Sequence, residues 1–227
     1  MKGKRTFNEL QCVALTILLS LSFPSCGSSD SDPEIDSTVD STSEEDDDTI
    51  TVNGYEVVDL GLSVRWATCN VGADSPEDYG NYYAWGEIET KYEYTTDNSV
   101  FEVGVSKIDF SGDAEYDAAT ANWGSPWRMP TYDELNELIG NCIWTSTRQN
   151  SVKGYLVTGT TGNSIFLPAA GYRDGSAYNN IGSFGYYWSS SPGGPHNLNG
   201  YYLTFLGGYR MTYGSPYIGR SVRPVTD

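Results

Sequence analysis

The alternation of apolar and polar residues divides the chain into an apolar leader, a polar segment and a long patterned region. Residues 13–21 are almost continuously apolar, whereas residues 26–50 carry few apolar side chains. After residue 55, short alternating stretches are separated by Gly, Pro and Asn, which is typical of strands joined by turns. The pattern predicts strands over 55–60, 64–71, 82–86, 155–158, 164–167, 186–190, 201–206, 209–213 and 221–225.

Two short helices are predicted before the strand-rich half. The first covers 113–122, where Asp113 is a suitable cap and the alanines favour helix. The second begins with a capping box, in which Thr131 and Glu134 accept hydrogen bonds from amides that have no partner inside the helix. Two helices followed by strands predict an α+β fold. The buried stripe of the second helix is predicted to be Leu135, Leu138, Ile139 and Cys142.

Residues 1–25 have the layout of a secretory signal peptide. Basic residues precede an apolar run that is too short to span a bilayer. The segment ending in Ser25 and Cys26 resembles a lipobox, so we expect Cys26 to be lipidated at the start of the mature chain. Cleavage nearby by an ordinary signal peptidase is the alternative.

Residues 26–50 are predicted to be a disordered stalk. They contain ten acidic side chains and no basic one, and they have too little apolar surface to offset the entropy lost on ordering. Acidic residues following Gly27-Ser28-Ser29 are similar to the surface-export signal of Bacteroides-type lipoproteins. This similarity implies an outer-membrane lipoprotein displayed on the cell surface.

Residues 51–227 are long enough for one well-buried domain, and its charge is uneven. Residues 51–137 hold 17 acidic and 4 basic side chains, whereas residues 138–227 hold 2 acidic and 6 basic ones. Nucleic-acid binding needs clustered Lys and Arg, so a nucleic-acid partner is not expected.

Seven short segments carry a resemblance to a known family: 58–62, 66–72, 117–121, 127–131, 165–171, 187–191 and 221–225. Together, and in this order, they resemble the Fibrobacter succinogenes major paralogous domain. That family is similar to the C-type lectin-like fold and is common on secreted bacterial lipoproteins. The resemblance therefore implies a lectin-like domain in which the first and last strands pair and a loop-rich face lies above the second sheet.

Two cysteines fall within the domain. Cys69 and Cys142 form an even pair in a chain expected to be exported, so a disulfide between them is predicted. Two buried free thiols are the alternative. The spacing does not resemble a zinc site, because there is no CxxC pair and His196 is the only histidine.

No catalytic constellation is recognisable in the sequence, and we do not expect an enzyme. His196 lies in a Gly- and Pro-rich loop with no acidic neighbour in sequence, whereas triads need a nucleophile, a base and an orienting group. Carboxylate pairs such as Asp74 and Asp78, or Asp109 and Asp113, are common in any acidic domain, although glycosidases use such pairs. The tripeptide motifs of calcium-dependent lectins are absent, so no metal or cofactor is expected.

The last part of the domain is rich in residue types that suit a binding surface. Tyrosine offers a large contact area at low entropic cost, and Asn offers adaptable hydrogen bonds; the alternative is that Tyr only forms strands and Asn only forms turns. We expect a glycan or protein ligand, with a structural surface or fimbrial subunit as the alternative. The enrichment also resembles lectin-fold lipoproteins diversified by retroelements. The candidate ligand-binding residues are Tyr178, Asn179, Asn180, Tyr186, His196, Asn197, Asn199, Tyr209, Arg210, Tyr213 and Tyr217.

Alternation in the same region also predicts which side chains face inward. These are Trp188, Leu203, Phe205, Val222 and Val225.

Overall fold

A computed structural model describes residues 50–101, 108–205 and 207–227. The signal segment, Cys26 and nearly all of the acidic stalk lie outside the described residues. The helices within these ranges are α1 (Ala118–Trp123) and α2 (Tyr132–Asn141). The strands are β1 (Thr51–Val52), β2 (Tyr55–Val58), β3 (Arg65–Ala67), β4 (Ile143–Gln149), β5 (Val152–Thr158), β6 (Ser164–Pro168), β7 (Tyr172–Asp174), β8 (Ala177–Asn179), β9 (Gly185–Gly193), β10 (Asn199–Phe205), β11 (Tyr209–Gly214) and β12 (Val225–Thr226).

The strands form antiparallel sheets in the orders β1-β2-β3-β12, β4-β5-β6, β9-β10-β11 and β7-β8. Strand is thus the main regular structure of the described residues, accompanied by two helices, in agreement with the predicted α+β class. The late strand β12 pairs with β3 rather than with β1 or β2, and so completes the first sheet. The predicted hairpin is confirmed as β5 and β6.

The capping box of α2 is confirmed, but the cap predicted for α1 is wrong. The Thr131 hydroxyl accepts from the Glu134 amide, and the Glu134 carboxylate accepts from the Thr131 amide. Helix α1 begins at Ala118, and its cap is Asp117 instead of Asp113. Asp113 forms a turn, in which its carboxylate accepts from the amide two residues later.

Two predicted strands are replaced by irregular backbone. Residues 82–86 form only an isolated bridge, in which Tyr83 and Arg220 exchange amide hydrogen bonds. The strand predicted over 221–225 is reduced to β12, because Pro224 has no amide hydrogen to donate to a ladder. Both segments still lie in the interior, where their amides and carbonyls bond to separate elements.

The two larger apolar clusters of the core lie on opposite sides of β3 and β9. Adjacent strand residues point to opposite faces, so Trp66 packs in one cluster and Ala67 in the other. Tyr187 and Trp188 divide in the same way. The inward-facing set is confirmed, since Trp188, Leu203, Phe205, Val222 and Val225 are all at most 2% exposed.

A buried guanidinium connects the β3 region to β6. Arg223 is 1% exposed, and its Nε donates to Asn70 Oδ1 at 2.8 Å. Its Nη1 donates to the carbonyls of Ala67 and Thr68, and its Nη2 donates to the carbonyl of Phe166 at 2.9 Å. Burial lowers the pKa of Arg223, while acceptors from the β3 region and β6 satisfy four of its five N–H donors.

The predicted disulfide is not present, because Cys69 and Cys142 are both free thiols. The two cysteines belong to different surroundings. Cys69 follows β3 and borders a surface cavity beside Trp123, whereas Cys142 ends α2 and packs against the cluster that contains Leu138. Burial raises the pKa of each thiol.

Candidate ligand-binding site

One face of the sheet β9-β10-β11 collects polar side chains at alternate positions. Thr204 lies opposite Tyr186 on one neighbouring strand and opposite Arg210 on the other. Tyr202 lies opposite Thr212. Because residues directly opposite in an antiparallel pair share a face, these five side chains lie together.

These five residues, with Gly208 and Tyr209, line a surface cavity of about 380 Å³. The lining offers hydroxyl groups, aromatic rings and one guanidinium, and it contains no carboxylate. The sequence has no acidic residue between Asp174 and Asp227. The cavity is therefore a polar aromatic site on the electropositive part of an otherwise acidic domain.

A second arginine lies beside this cavity. The guanidinium carbon of Arg220 is 3.9 Å from the ring centroid of Tyr202 and 4.0 Å from that of Trp188. Arg220 is 6% exposed, and its Nε and Nη1 have no hydrogen-bond partner among the described residues. No described carboxylate forms an ion pair with it.

The charge of Arg220 persists at neutral pH. Burial lowers the pKa of Arg220 to about 10, while the Tyr202 and Tyr186 hydroxyls act in the opposite direction. Cation–π contact with the two flanking rings offsets part of the desolvation cost. The cavity wall thus has a positive charge behind it.

The Tyr186 hydroxyl is a neutral group at this site. Burial raises the pKa of Tyr186, although a hydrogen bond from Asn180 opposes the rise. Asn180 Nδ2 donates to the Tyr186 hydroxyl oxygen at 3.1 Å. Asn180 has a φ of 59°, a left-handed conformation that Asn tolerates better than most residues.

The structure brings four of the predicted binding residues to this cavity. Tyr186 and Arg210 line it, and Asn180 bonds to Tyr186. Tyr209 also lines the cavity, but its ring stacks on Trp144 with centroids 4.6 Å apart. The Tyr209 ring therefore supports the packing of the sheet's other face.

The remaining predicted residues lie on separate parts of the surface. Tyr178 and Asn179 belong to β8, where the Tyr178 ring lies 4.6 Å from the guanidinium carbon of Arg173. Tyr217 is half-buried in the turn that follows β11. The connection between β9 and β10 and the adjoining strand ends hold His196, Asn197, Asn199 and Tyr213.

Four residues of the site were missed from the sequence: Tyr202, Thr204, Thr212 and Arg220. The first three occupy polar positions of β10 and β11, on the face of the sheet opposite to Leu203 and Met211. That alternation could have identified them. Arg220 has no local signal, because it reaches the sheet from an irregular segment.

Other candidate chemistry is sparse among the described residues. No cluster of His, Cys, Asp or Glu within them could hold a metal ion. Asp109 and Asp113 border one cavity of about 420 Å³, but each carboxylate also accepts from a turn amide. Asp78 likewise accepts from the Ser75 amide.

In the part of the chain that the structure describes, no helix has the length and apolar character needed to cross a membrane. Comparisons of the chain with protein-family models, with curated proteins and with solved structures find no match.

Proposed function

We propose that this chain is an exported envelope lipoprotein that displays a non-enzymatic binding domain for a glycan or protein ligand. The observation that carries the proposal is the cavity on the sheet β9-β10-β11. Tyrosine and threonine residues, together with Arg210, line one opening. Arg210 is exposed, and its guanidinium forms no hydrogen bond or ion pair with a described residue.

This lining suits recognition better than catalysis. Small-molecule sites combine aromatic walls with a few convergent polar groups, and the cavity has both. The neutral Tyr186 hydroxyl and the threonine hydroxyls can donate and accept hydrogen bonds. General acid–base catalysis instead needs a group that titrates near the working pH, and no His, Asp or Glu lines this cavity.

The lipoprotein part of the proposal rests on the signal segment, the acidic stalk and Cys26. Replacing Cys26 with Ala removes the only thiol at the predicted cut site, so Cys26→Ala protein should appear in the soluble fraction after cell lysis. Fractionation and immunoblotting measure this release. Membrane retention of the variant would show that lipidation at this residue is not the anchor.

The resemblance to the major paralogous domain and its lectin-like fold forms part of the same proposal. That resemblance implies pairing of the first and last strands; β12 does join the sheet that contains β1, which supports the proposal, but its paired neighbour is β3 rather than β1. A loop-rich surface around the sheet β9-β10-β11 supports it further. An experimental structure compared with lectin-like domains tests this part.

The proposed binding site is tested with a variant in which a large side chain fills the cavity while the fold is kept. Thr212→Trp places a large ring at the cavity from the edge strand β11. Thr145→Trp is the matched control, because Thr145 is exposed on another edge strand, β4. On glycan and protein arrays, the Thr212 variant should lose the ligands that the parent and control retain. Ligands bound equally by all three proteins would refute the site.

Two alternatives predict different behaviour. A fimbrial or structural subunit would assemble through strand addition, for which β4 and β11 offer edges among the described strands. Light scattering of the purified protein separates a polymer from a monomeric binding module. Diversification by a retroelement would appear as clustered differences between sister copies of the gene within residues 178–217.

A further inference from the structure

We propose that the cavity binds the carboxylate-bearing sugar unit of an acidic glycan, with Arg210 as the direct ion-pair partner and Arg220 as the buried charge that favours an anion there. This inference rests on the proposed binding function and specifies its ligand class. It is carried by the charges around the cavity, by its dimensions and by the chemistry of its lining.

The distribution of charge favours an anion at this face. The whole chain has a formal net charge of −17, yet both arginines at the cavity lie in the long stretch without acidic residues. An acidic ligand is repelled by the rest of the domain and attracted here, because exposed charges act over about 10 Å at ordinary ionic strength. An anion is therefore favoured beside these two arginines over the acid-rich part of the chain.

Arg220 supplies the second argument. Burying a cation costs free energy unless an anion pairs with it. Arg220 has no such partner among the described residues, and two of its nitrogens lack hydrogen-bond partners. Its guanidinium packs on the ring of Tyr202, which is itself part of the cavity wall. A carboxylate on the other side of that wall compensates the buried charge, whereas a neutral ligand does not.

Arg210 has the geometry for direct contact. It lies on β11, opposite Thr204, and its guanidinium is free of described partners. A planar guanidinium binds a carboxylate through two parallel hydrogen bonds, which a lysine ammonium cannot reproduce. Recognition of this kind distinguishes a uronic acid from a neutral hexose of the same size.

The dimensions of the site favour a sugar over a protein surface. About 380 Å³ is near the lower end of small-molecule sites, and it suits one or two sugar units. The rings of Tyr186 and Tyr202 can pack on the apolar face of a pyranose. The hydroxyls of Thr204 and Thr212 can bond to ring hydroxyls, as neutral donors and acceptors do.

The test uses two matched probes, a fluorescent oligosaccharide ending in glucuronic acid and the same oligosaccharide ending in glucose. Fluorescence anisotropy with the purified protein should show tighter binding of the acidic probe by about tenfold or more, the effect expected for charge-assisted hydrogen bonds. Arg210→Gln should remove most of this preference and leave only the smaller contribution of the buried Arg220, whereas Arg210→Lys should keep a larger part of it. Arg65→Gln, which removes an exposed arginine from β3, should leave it unchanged.

Several results would overturn the inference. Equal affinity for the two probes would do so, as would an Arg210→Gln variant that keeps the full preference. A glutamate-rich peptide that competes better than the acidic sugar would show that the ligand is a protein. In each case the arrays with Thr212→Trp test the proposed function separately. If the parent and the Thr145→Trp control bind a neutral or peptide ligand and the Thr212→Trp variant does not, the cavity is a binding site even though its ligand is not an acidic sugar.

Discussion

Replacing Arg223 with Lys should destabilise the domain severely although the charge is kept. The guanidinium satisfies Asn70 and three backbone carbonyls from one planar fork. A lysine Nζ is a single point with three donors, and it cannot reach acceptors on both β6 and the β3 region. At least two buried acceptors therefore lose their donor.

The magnitude follows from these lost contacts. Hydrogen bonds to charged groups contribute about 1.5–3 kcal/mol each, and a buried acceptor without a partner carries a similar cost. Partial rearrangement reduces the sum, so we expect Arg223→Lys to lower the free energy of unfolding by about 3–5 kcal/mol. Typical domains have only about 5–15 kcal/mol in total, so the variant should unfold at much lower denaturant.

Urea unfolding followed by tryptophan fluorescence measures the loss. Trp66, Trp85, Trp127 and Trp188 are all fully buried, so their emission reports on the core. Arg65→Lys is the matched control, since Arg65 is exposed on β3 and exposed changes usually stay within about 0.5 kcal/mol. An Arg223→Lys midpoint close to that of the control would refute the assigned role.

Two further predictions concern single side chains. Asp117→Asn places an amide NH₂ where one carboxylate oxygen accepts from the Gly112 and Met129 amides, so it should cost about 2–4 kcal/mol in urea unfolding; an unchanged midpoint would contradict this. Cys69 and Cys142 should both react with iodoacetamide without prior reduction. Because burial raises the pKa of each thiol, labelling should be slower than in unfolded protein and should accelerate as the pH rises; peptide mass mapping that finds either thiol blocked would contradict this.

Local patterns predicted the elements whose causes are local. The capping box at Thr131 satisfies amides three residues apart, so its signal lies in one short segment. The hairpin of β5 and β6 and the inward positions of β10 likewise follow from alternation and a turn. These features need no knowledge of distant parts of the chain.

The features that were missed depend on distant partners. Asp117 rather than Asp113 caps α1 because its second oxygen also binds the Met129 amide, beyond the helix. Residues 82–86 form hydrogen bonds with the segment that contains Arg220. The residues of neither segment alone indicate this pairing. The prediction of a disulfide was wrong for the same reason, since an even number of cysteines does not show that Cys69 and Cys142 lie close together in the fold.

The candidate site was predicted only in part. Tyrosine and asparagine content pointed to the correct half of the chain, but composition does not separate the two faces of a strand. Tyr209 and Arg210 are neighbours in β11, yet the Tyr209 ring packs on Trp144 and Arg210 faces the cavity. Alternate residues of a strand lie on one face, so the positions on the face opposite to Leu203 predict the cavity residues better than tyrosine and asparagine content does.

The contacts of residues 219–227 determine when the domain can fold. Arg223 bonds to Ala67 across 156 residues, and Asp227 pairs with Arg128 across 99. Contacts so distant in sequence form slowly, and here they require residues that are made after all the other strands of the first sheet. The first sheet therefore stays incomplete until β12 has been synthesised. Under the export proposed for this chain, the delay would keep the domain unfolded for passage through a narrow translocation pore.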